Sequence, residues 1–499
     1  MESRTPQSEP AATATAAVAG WNLSQSYAAL PPQLYSRVAP SPVRAPSLVI
    51  FNASLAKSLG LDAAVLGRPE AAPLFAGNAM PPGADPIAQA YAGHQFGHFT
   101  LLGDGRAILL GEQLTPDGRR LDIQLKGPGR TPYSRRGDGR AALGPMLREY
   151  LISEAMHALG IPTTRSLAVT ATGEPVFREQ TLPGAVLTRV AASHLRVGTF
   201  EWAAARGDHQ ALEALAVYAR HRHDPEIGAD PGAAAALLEA VAGRQAALVA
   251  RWQLVGFVHG VMNTDNMALS GETLDYGPCA FMDAYDPGTV FSSIDHQGRY
   301  AYGNQPGIAQ WNLARLAEGM LPLLHRDPEQ AVAVANGVLE RFPSRFEQHW
   351  LDGMRAKLGL LVAEPEDRSL VDDLLGWMQR QGADFTNTFR DLDPGASAAE
   401  PGGDEAFEAW RRRWRARLSR QPHPVESVRV CMQRHNPAVI PRNHLVEAAL
   451  SAAGAGGDLG PFNRLLRVLA APYDRDAIPP EFGAPPGPEA RGFQTYCGT

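Results

Sequence analysis

Asn266 and Asp275 follow closely on His259-Gly260 within the stretch Gly256–Asp283, and both carry hard oxygen donors of the kind a hard divalent cation takes. Upstream, Lys126 ends an alternating segment and could neutralise a phosphate. Glu149 sits near Met146, Ile152 and Met156 at helical spacing, and a carboxylate among apolar neighbours wants a cation; Lys126 is the obvious one. Two Gly-Asp-Gly-Arg turns, Gly103–Arg106 and Gly137–Arg140, offer backbone N–H groups that can cradle oxygens. Arg106, Arg136, Arg140, Arg189 and Arg196 add guanidinium forks, which grip phosphate in bidentate fashion. This is chemistry for a nucleoside triphosphate such as ATP with one or two magnesium ions.

Each feature alone is weak, since a Gly-Asp-Gly-Arg turn is common and a lone helical Glu usually faces water. Their order carries more. A Gly-rich turn, Lys126, Glu149, His259-Gly260, Asn266 and Asp275-Tyr276-Gly277 resemble the layout of kinase-like phosphotransferases. One member is missing: Val261 stands where that layout puts the proton-accepting aspartate, and valine cannot take a proton. Arginines are in excess at the same time. More cations than a γ-phosphoryl donor needs suggest a triphosphate gripped as a leaving diphosphate, with the α-phosphate open to attack.

The elements needed to position these groups can be read from the pattern. Phe99–Leu102, Ala107–Gly111 and Leu121–Lys126 read as strands, separated by the first Gly-rich turn and by Thr115–Gly118. Ala141–Leu159 reads as a helix with Leu143, Leu147, Leu151, Ala155 and Leu159 in one stripe, ended by Gly160 and Pro162. Ser166–Thr170, Val176–Arg178 and Ala185–Val190 read as three further strands. Helices follow at Glu201–Arg220, Ala233–Val255 and Gln305–Leu324, the last with Trp311 and Leu316 inward. His94 and His98, four apart, could be metal ligands on a helix, but Gly93 and Gly97 beside them favour packed polar side chains instead. Arg411–Arg413 and Arg415 read as a solvated helix face rather than a patch for an acidic partner.

Composition sets outer limits. The 499 residues suffice for two or three domains, and 44% hydrophobic and 20% charged content is ordinary for a globular chain. A net charge of -6 argues against nucleic-acid binding through a broad basic surface. Three cysteines without a C-x-x-C pair argue against structural zinc and a secreted disulfide framework, so the cytoplasm is expected. No unbroken run of about eighteen apolar residues predicts a membrane span. The expected fold is α+β and protein-kinase-like, with two lobes. The anticipated divisions are a disordered tail (1–20), an N-terminal segment packed on the core (21–98), a small β-rich lobe with one key helix (99–190), a large helical lobe with the catalytic and metal loops (191–326), and a C-terminal helical region (327–499).

Six stretches extend the likeness over nearly the whole chain. They are YAGHQFGHF at Tyr91–Phe99, LGDGRAILLGE at Leu102–Glu112, DIQLKGPGRTPYSRRGDGRA at Asp122–Ala141, REYLISEAMHALGIPTTRSL at Arg148–Leu167, HGVMNTDNM at His259–Met267, and the C-terminal Cys497. In these the chain resembles the selenoprotein O (YdiU) family, pseudokinases that act as protein adenylyltransferases. The resemblance implies ATP bound inverted relative to a kinase, through Gly103, Gly105, Arg106, Lys126, Asp138, Gly139, Arg189, Arg196 and Asp275. It implies that Glu149 pairs with Lys126, that Asp265 is the proton acceptor, and that Asn266 and Asp275 hold Mg²⁺ or Mn²⁺. AMP, and by the same likeness UMP from UTP, would pass to Ser, Thr or Tyr hydroxyls of partner proteins. It also motivates a regulatory Cys279–Cys497 disulfide, set against two unrelated thiols. Two other readings stand beside this one: a phosphotransferase using Asp265 as a displaced base, and a non-catalytic nucleotide-binding scaffold.

Overall fold

In the computed structural model, residues 15–395, 404–487 and 492–495 are described. The chain is α+β. A nine-stranded antiparallel sheet holds β1 (Leu23–Ser24), β2 (Tyr35–Arg37), β3 (Ser47–Phe51), β4 (Ile87–Gln89), β7 (Ala107–Leu114), β8 (Arg120–Lys126), β9 (Ala141–Ala142), β10 (Arg165–Phe177) and β11 (Thr181–Ala191). Its main order is β2-β4-β7-β8-β11-β10-β3, with β1 on β7 and β9 on β11. Period-two alternation gives the sheet two buried faces. Ile108, Leu110, Ile123 and Leu125 pack with Leu55, Leu59 and Phe75 from the N-terminal segment. Leu109, Val169 and Leu187 pack on helix α1 (Leu143–Ala158) through Met146, Leu147 and Leu151. The N-terminal segment thus supplies strands as well as a covering layer. Of the expected tail, residues 1–14 lie outside the described residues, while Ala16 and Ala19 are buried in the first of these cores.

Three strand expectations need correction. Residues 99–102 do not begin the main sheet. Their strand, β6 (His98–Leu101), pairs only with β5 (Ala92–Gln95) as a separate hairpin. The cause is the turn between them, where Phe96 and Gly97 both take left-handed φ (50° and 89°) and reverse the chain in two residues. Ser166–Thr170 and Val176–Arg178 are one strand, β10, because the register shift around Gly173 (φ 70°) bends the strand without ending it. Helix α1 starts after Ala142, since Ala141 and Ala142 are held against β11.

The first helices past β11 are α2 (Val197–Ala205), α3 (His209–His223), α4 (Ala233–Leu254), α5 (Gln305–Leu324) and α6 (Pro328–Lys357). The single helix expected at Glu201–Arg220 is two, parted at Gly207 (φ 63°), with Asp208 capping the second by accepting from Ala211 N. Leu316 is buried as expected, but Trp311 is half-buried, flanked by the guanidinium groups of Arg299 and Arg315 at 4.8 Å each. Helix α4 is long and apolar enough to cross a membrane by length and composition alone, yet Leu237, Val241 and Val249 are buried in the common core. A two-residue pair, β12 (Phe257–Val258) with β13 (Ala280–Phe281), frames the loop carrying Asp265, Asn266 and Asp275. Further on, arginines of the helix Glu405–Leu418 pair with carboxylates of the helix Asp367–Gln381: Arg413 with Asp373 at 2.6 Å and the buried Arg417 with Asp367 at 2.7 Å.

Leu147 lies between α1 and the sheet, fully buried. Leu147→Ala should cost about 2–5 kcal/mol in denaturant unfolding, from lost burial plus a cavity. Because α1 carries Glu149, nucleotide affinity should fall with it.

Candidate active site

Lys126 is the last residue of β8, where it stands opposite Ala107 of β7 and Leu187 of β11. Its Nζ donates to Glu149 Oε2 at 2.7 Å and to Asp275 Oδ1 at 2.9 Å. Arg189 reaches the same two carboxylates from β11, Nε to Glu149 Oε1 at 3.0 Å and Nη2 to Asp275 Oδ1 at 2.9 Å. Arg196, just before α2, donates from Nη1 to Asp275 Oδ2 at 2.7 Å and to the Asp265 carbonyl at 2.6 Å. Three cations from three elements therefore meet on two carboxylates. Burial alone would raise the Asp275 carboxyl, but Arg189, Lys126 and Arg196 together hold it well below the usual range. Asp275 also has φ of 61°, a conformation that costs a non-glycine residue on the order of 1 kcal/mol or more and persists only where surroundings enforce it.

The network forms the floor of a cavity of about 790 Å³ that Gly103, Gly105, Arg106, Asp138, Gly139, Asp265, Asn266 and Val261 also line. Its roof is two Gly-rich loops pressed together. Thr131 Oγ1 donates to Asp104 O at 2.6 Å, and a Cβ on Gly103 (φ 132°) would stand 2.4 Å from the Tyr133 ring. Only glycine allows that approach. In the second loop, Asp138 accepts from Arg178 at 2.9 and 3.0 Å and from Arg140 N at 2.9 Å, and the Arg178 hydrogen bond holds its carboxyl low. Arg140 turns its guanidinium to the carbonyls of Ser41 and Pro42, at 3.2 and 3.3 Å.

Asp265 is buried, with Oδ1 lacking a hydrogen-bond partner. Burial pushes its carboxyl up to about 7 against the pull of Arg196. The neighbouring Asn266 donates Nδ2 to Val261 O at 3.0 Å, which fixes the amide with its oxygen on the other side. His259 is buried, hydrogen-bonded through Nε2 to Leu274 O at 2.9 Å and lowered by burial, so it braces the loop as a neutral ring.

Among the described residues no group of three or more His, Cys, Asp or Glu side chains could hold a metal by itself. Magnesium asks for less, commonly one or two carboxylates with phosphate oxygens and water completing its shell. Asn266 and Asp275 fit that demand when a triphosphate is present to draw cationic charge off Asp275. The histidines His94 and His98 lie on the β5–β6 hairpin: His94 Nδ1 meets Glu201 Oε1 at 2.5 Å, and His98 is exposed. Cys279 is buried, its thiol pushed up to about 12; Cys497 lies outside the described residues, and its pairing with it.

The profile described as "Protein adenylyltransferase SelO" matches residues 19–470. The chain belongs to that family. Among relatives, proteins named "Protein nucleotidyltransferase YdiU" are 60% identical over 96% of this chain and 98% of the relative in Brevibacillus brevis, and 59% identical over the same shares in Syntrophotalea carbinolica. Membership in the SelO family makes the chain an enzyme of the nucleotidyltransferase class.

Reasoning from the sequence missed several neighbours of this site. Asp104, pushed up to about 6 by burial, accepts from Gln89 N and faces Arg196 at 3.9 Å, and Tyr91 lies under the Arg196 guanidinium at 4.7 Å. Asp104 was within reach as the acidic member of the first Gly-Asp-Gly-Arg. Arg178 and Glu201 carry no local signal, since only the fold brings them in.

Gly103→Ala should weaken ATP binding by on the order of tenfold, the strain of a side chain at positive φ beside Tyr133 translated into affinity. Titration calorimetry with ATP and Mg²⁺ reads this directly, and unchanged affinity would remove the two-loop roof from the account.

Proposed function

We propose that the chain transfers AMP, and in the same manner UMP from UTP, to Ser, Thr or Tyr hydroxyls of other proteins, releasing diphosphate. The lobes would be those of a kinase-like fold, the sheet with α1 as the small one and the helices from α2 onward as the large one, with ATP lying inverted between them. The observation that carries this reading is the convergence of Lys126, Arg189 and Arg196 on Asp275, deep in the cavity. Such a cluster is suited to a leaving diphosphate. The β- and γ-phosphates would sit there, gripped by the two arginines and Lys126, with Gly103, Gly105, Arg106, Asp138 and Gly139 contacting the rest of the nucleotide.

With the diphosphate inward, the α-phosphorus faces the side of Asp265. The acceptor hydroxyl gives its proton to the Asp265 carboxylate as its oxygen bonds to the α-phosphorus. The bond from that phosphorus to the bridging oxygen of the β-phosphate breaks, and the electron pair leaves with diphosphate. Glu149 acts by holding Lys126 and Arg189 in place. Asn266 and Asp275 would hold Mg²⁺ or Mn²⁺, which supplies Lewis-acid neutralisation of phosphate charge.

ATP labelled at the α-phosphate should label protein, and ATP labelled at the γ-phosphate should not. The reverse pattern would establish the phosphotransferase reading, and binding without either would establish a scaffold. Asp265→Asn should lower the α-label rate by about 10²–10⁴-fold, the usual contribution of a general base. Lys126→Ala should lower it by on the order of 10²-fold or more if the ammonium stabilises charge developing on the leaving group.

A further inference from the structure

The β5–β6 hairpin lies along one wall of the cavity, to which Tyr91, Gln95 and Leu102 contribute. Its inner strand is fastened to the catalytic loop. His94 N donates to Thr264 Oγ1 at 2.7 Å and Phe96 N to Asn263 Oδ1 at 3.0 Å. Gly93 is pressed so closely on the base that a Cβ there would stand 2.1 Å from Asp265 Oδ1.

The outer strand has an edge that no strand covers among the described residues, with one of its carbonyls held by a side chain. Leu102 N donates to Tyr91 O at 2.9 Å, and the register continues as Ala92↔Leu101, Gly93↔Thr100, His94↔Phe99 and Gln95↔His98. Hydrogen-bonded and non-bonded pairs alternate in an antiparallel ladder, so Thr100 and His98 bond to β5 while Phe99 and Leu101 turn N–H and C=O outward. One of those outward groups, Leu101 O, accepts from Arg135 Nη2 at 2.6 Å. Among the described residues no third strand joins this pair. The Phe99 and Leu101 side chains are 45% and 48% exposed. An apolar edge left open is a template for another strand.

We propose that this edge receives an extended segment of the acceptor protein as a third strand, which carries the segment's hydroxyl residue into the cavity. The proposal rests on the protein-modifying reading above. Continuity with the site singles out this occupant, because the edge runs from the Phe96–Gly97 turn towards Leu102 and Gly103, both part of the cavity wall. The exposed Arg135, whose guanidinium reaches Leu101 O on this edge, suits a segment bearing carboxylates. Pairing of this kind reads the main chain, so acceptors would share an extended, unpaired stretch rather than a sequence motif.

Phe99→Pro and Leu101→Pro each remove one outward N–H and leave the bonds to β5 intact. The probe is a mixture of short unstructured peptides, each with one Ser, Thr or Tyr, assayed with α-labelled ATP. The peptide KM should rise about tenfold, the loss expected from one or two unmade backbone hydrogen bonds, with kcat and ATP affinity at wild-type values. Peptides N-methylated on alternate backbone nitrogens should show the same rise with wild-type enzyme, a result that needs no variant to fold. Unchanged KM in both arms would overturn the docking, as would wild-type dimers that the proline variants disperse, since the edge would then belong to a second copy. A wild type that labels no peptide or protein would instead overturn the transfer reaction itself.

Discussion

A charge taken out of water must be met by another, and the site is built around that requirement. Lys126, Arg189 and Arg196 carry three positive charges; Glu149 and Asp275 carry two negative ones; all but Asp275 are nearly sealed from solvent. Removing any one member would strand its partners in a medium that penalises them by several kcal/mol. The members come from the end of β8, near the end of β11, the start of α2, the second turn of α1 and the loop after β12, so the network can form only when sheet, helix and loop are all in place. A third buried carboxylate, Asp104, faces Arg196 at 3.9 Å, so the positive and negative charges packed here are close to balanced.

The strain recorded at Asp275 belongs to the same design. With its backbone left-handed, Asp275 presents Oδ1 to Lys126 and Arg189 and Oδ2 to Arg196. Asp265, whose carbonyl shares Arg196 Nη1 with the Asp275 carboxylate, has the opposite surroundings, with an unpartnered side-chain oxygen and burial that pushes its carboxyl up to about 7. Two aspartates in one cavity are thus pushed apart, one fixed as an anion and one ready to take a proton. Such separation is how a site assigns distinct roles to like groups.

Much of this was legible in the sequence. The leucine stripe of α1, its Gly160–Pro162 stop and the spacing of Glu149 follow from helical geometry, and Lys126 falls where an alternating run ends. What was not legible depends on contacts distant in the chain. The Phe96–Gly97 turn lacks the Asn-Gly or Asp-Gly signature of a two-residue hairpin, so β5 and β6 passed as polar packing and a main-sheet strand. Ser166–Thr170 and Val176–Arg178 read as two strands but are one strand bent at Gly173, because both stretches pair with β11. Asp104 and Tyr91 enter the site only once β4 and β7 pair and bring the first Gly-rich loop over Arg196.

The central claim is that the buried cations hold the outer phosphates and leave the α-phosphorus facing Asp265. A crystal structure with Mg²⁺ and a non-hydrolysable ATP analogue tests it most directly. The account predicts β- and γ-phosphate oxygens on Lys126, Arg189 and Arg196, with the α-phosphorus on the Asp265 side of the cavity. A γ-phosphorus facing Asp265, with the base seated over the arginines, would contradict it.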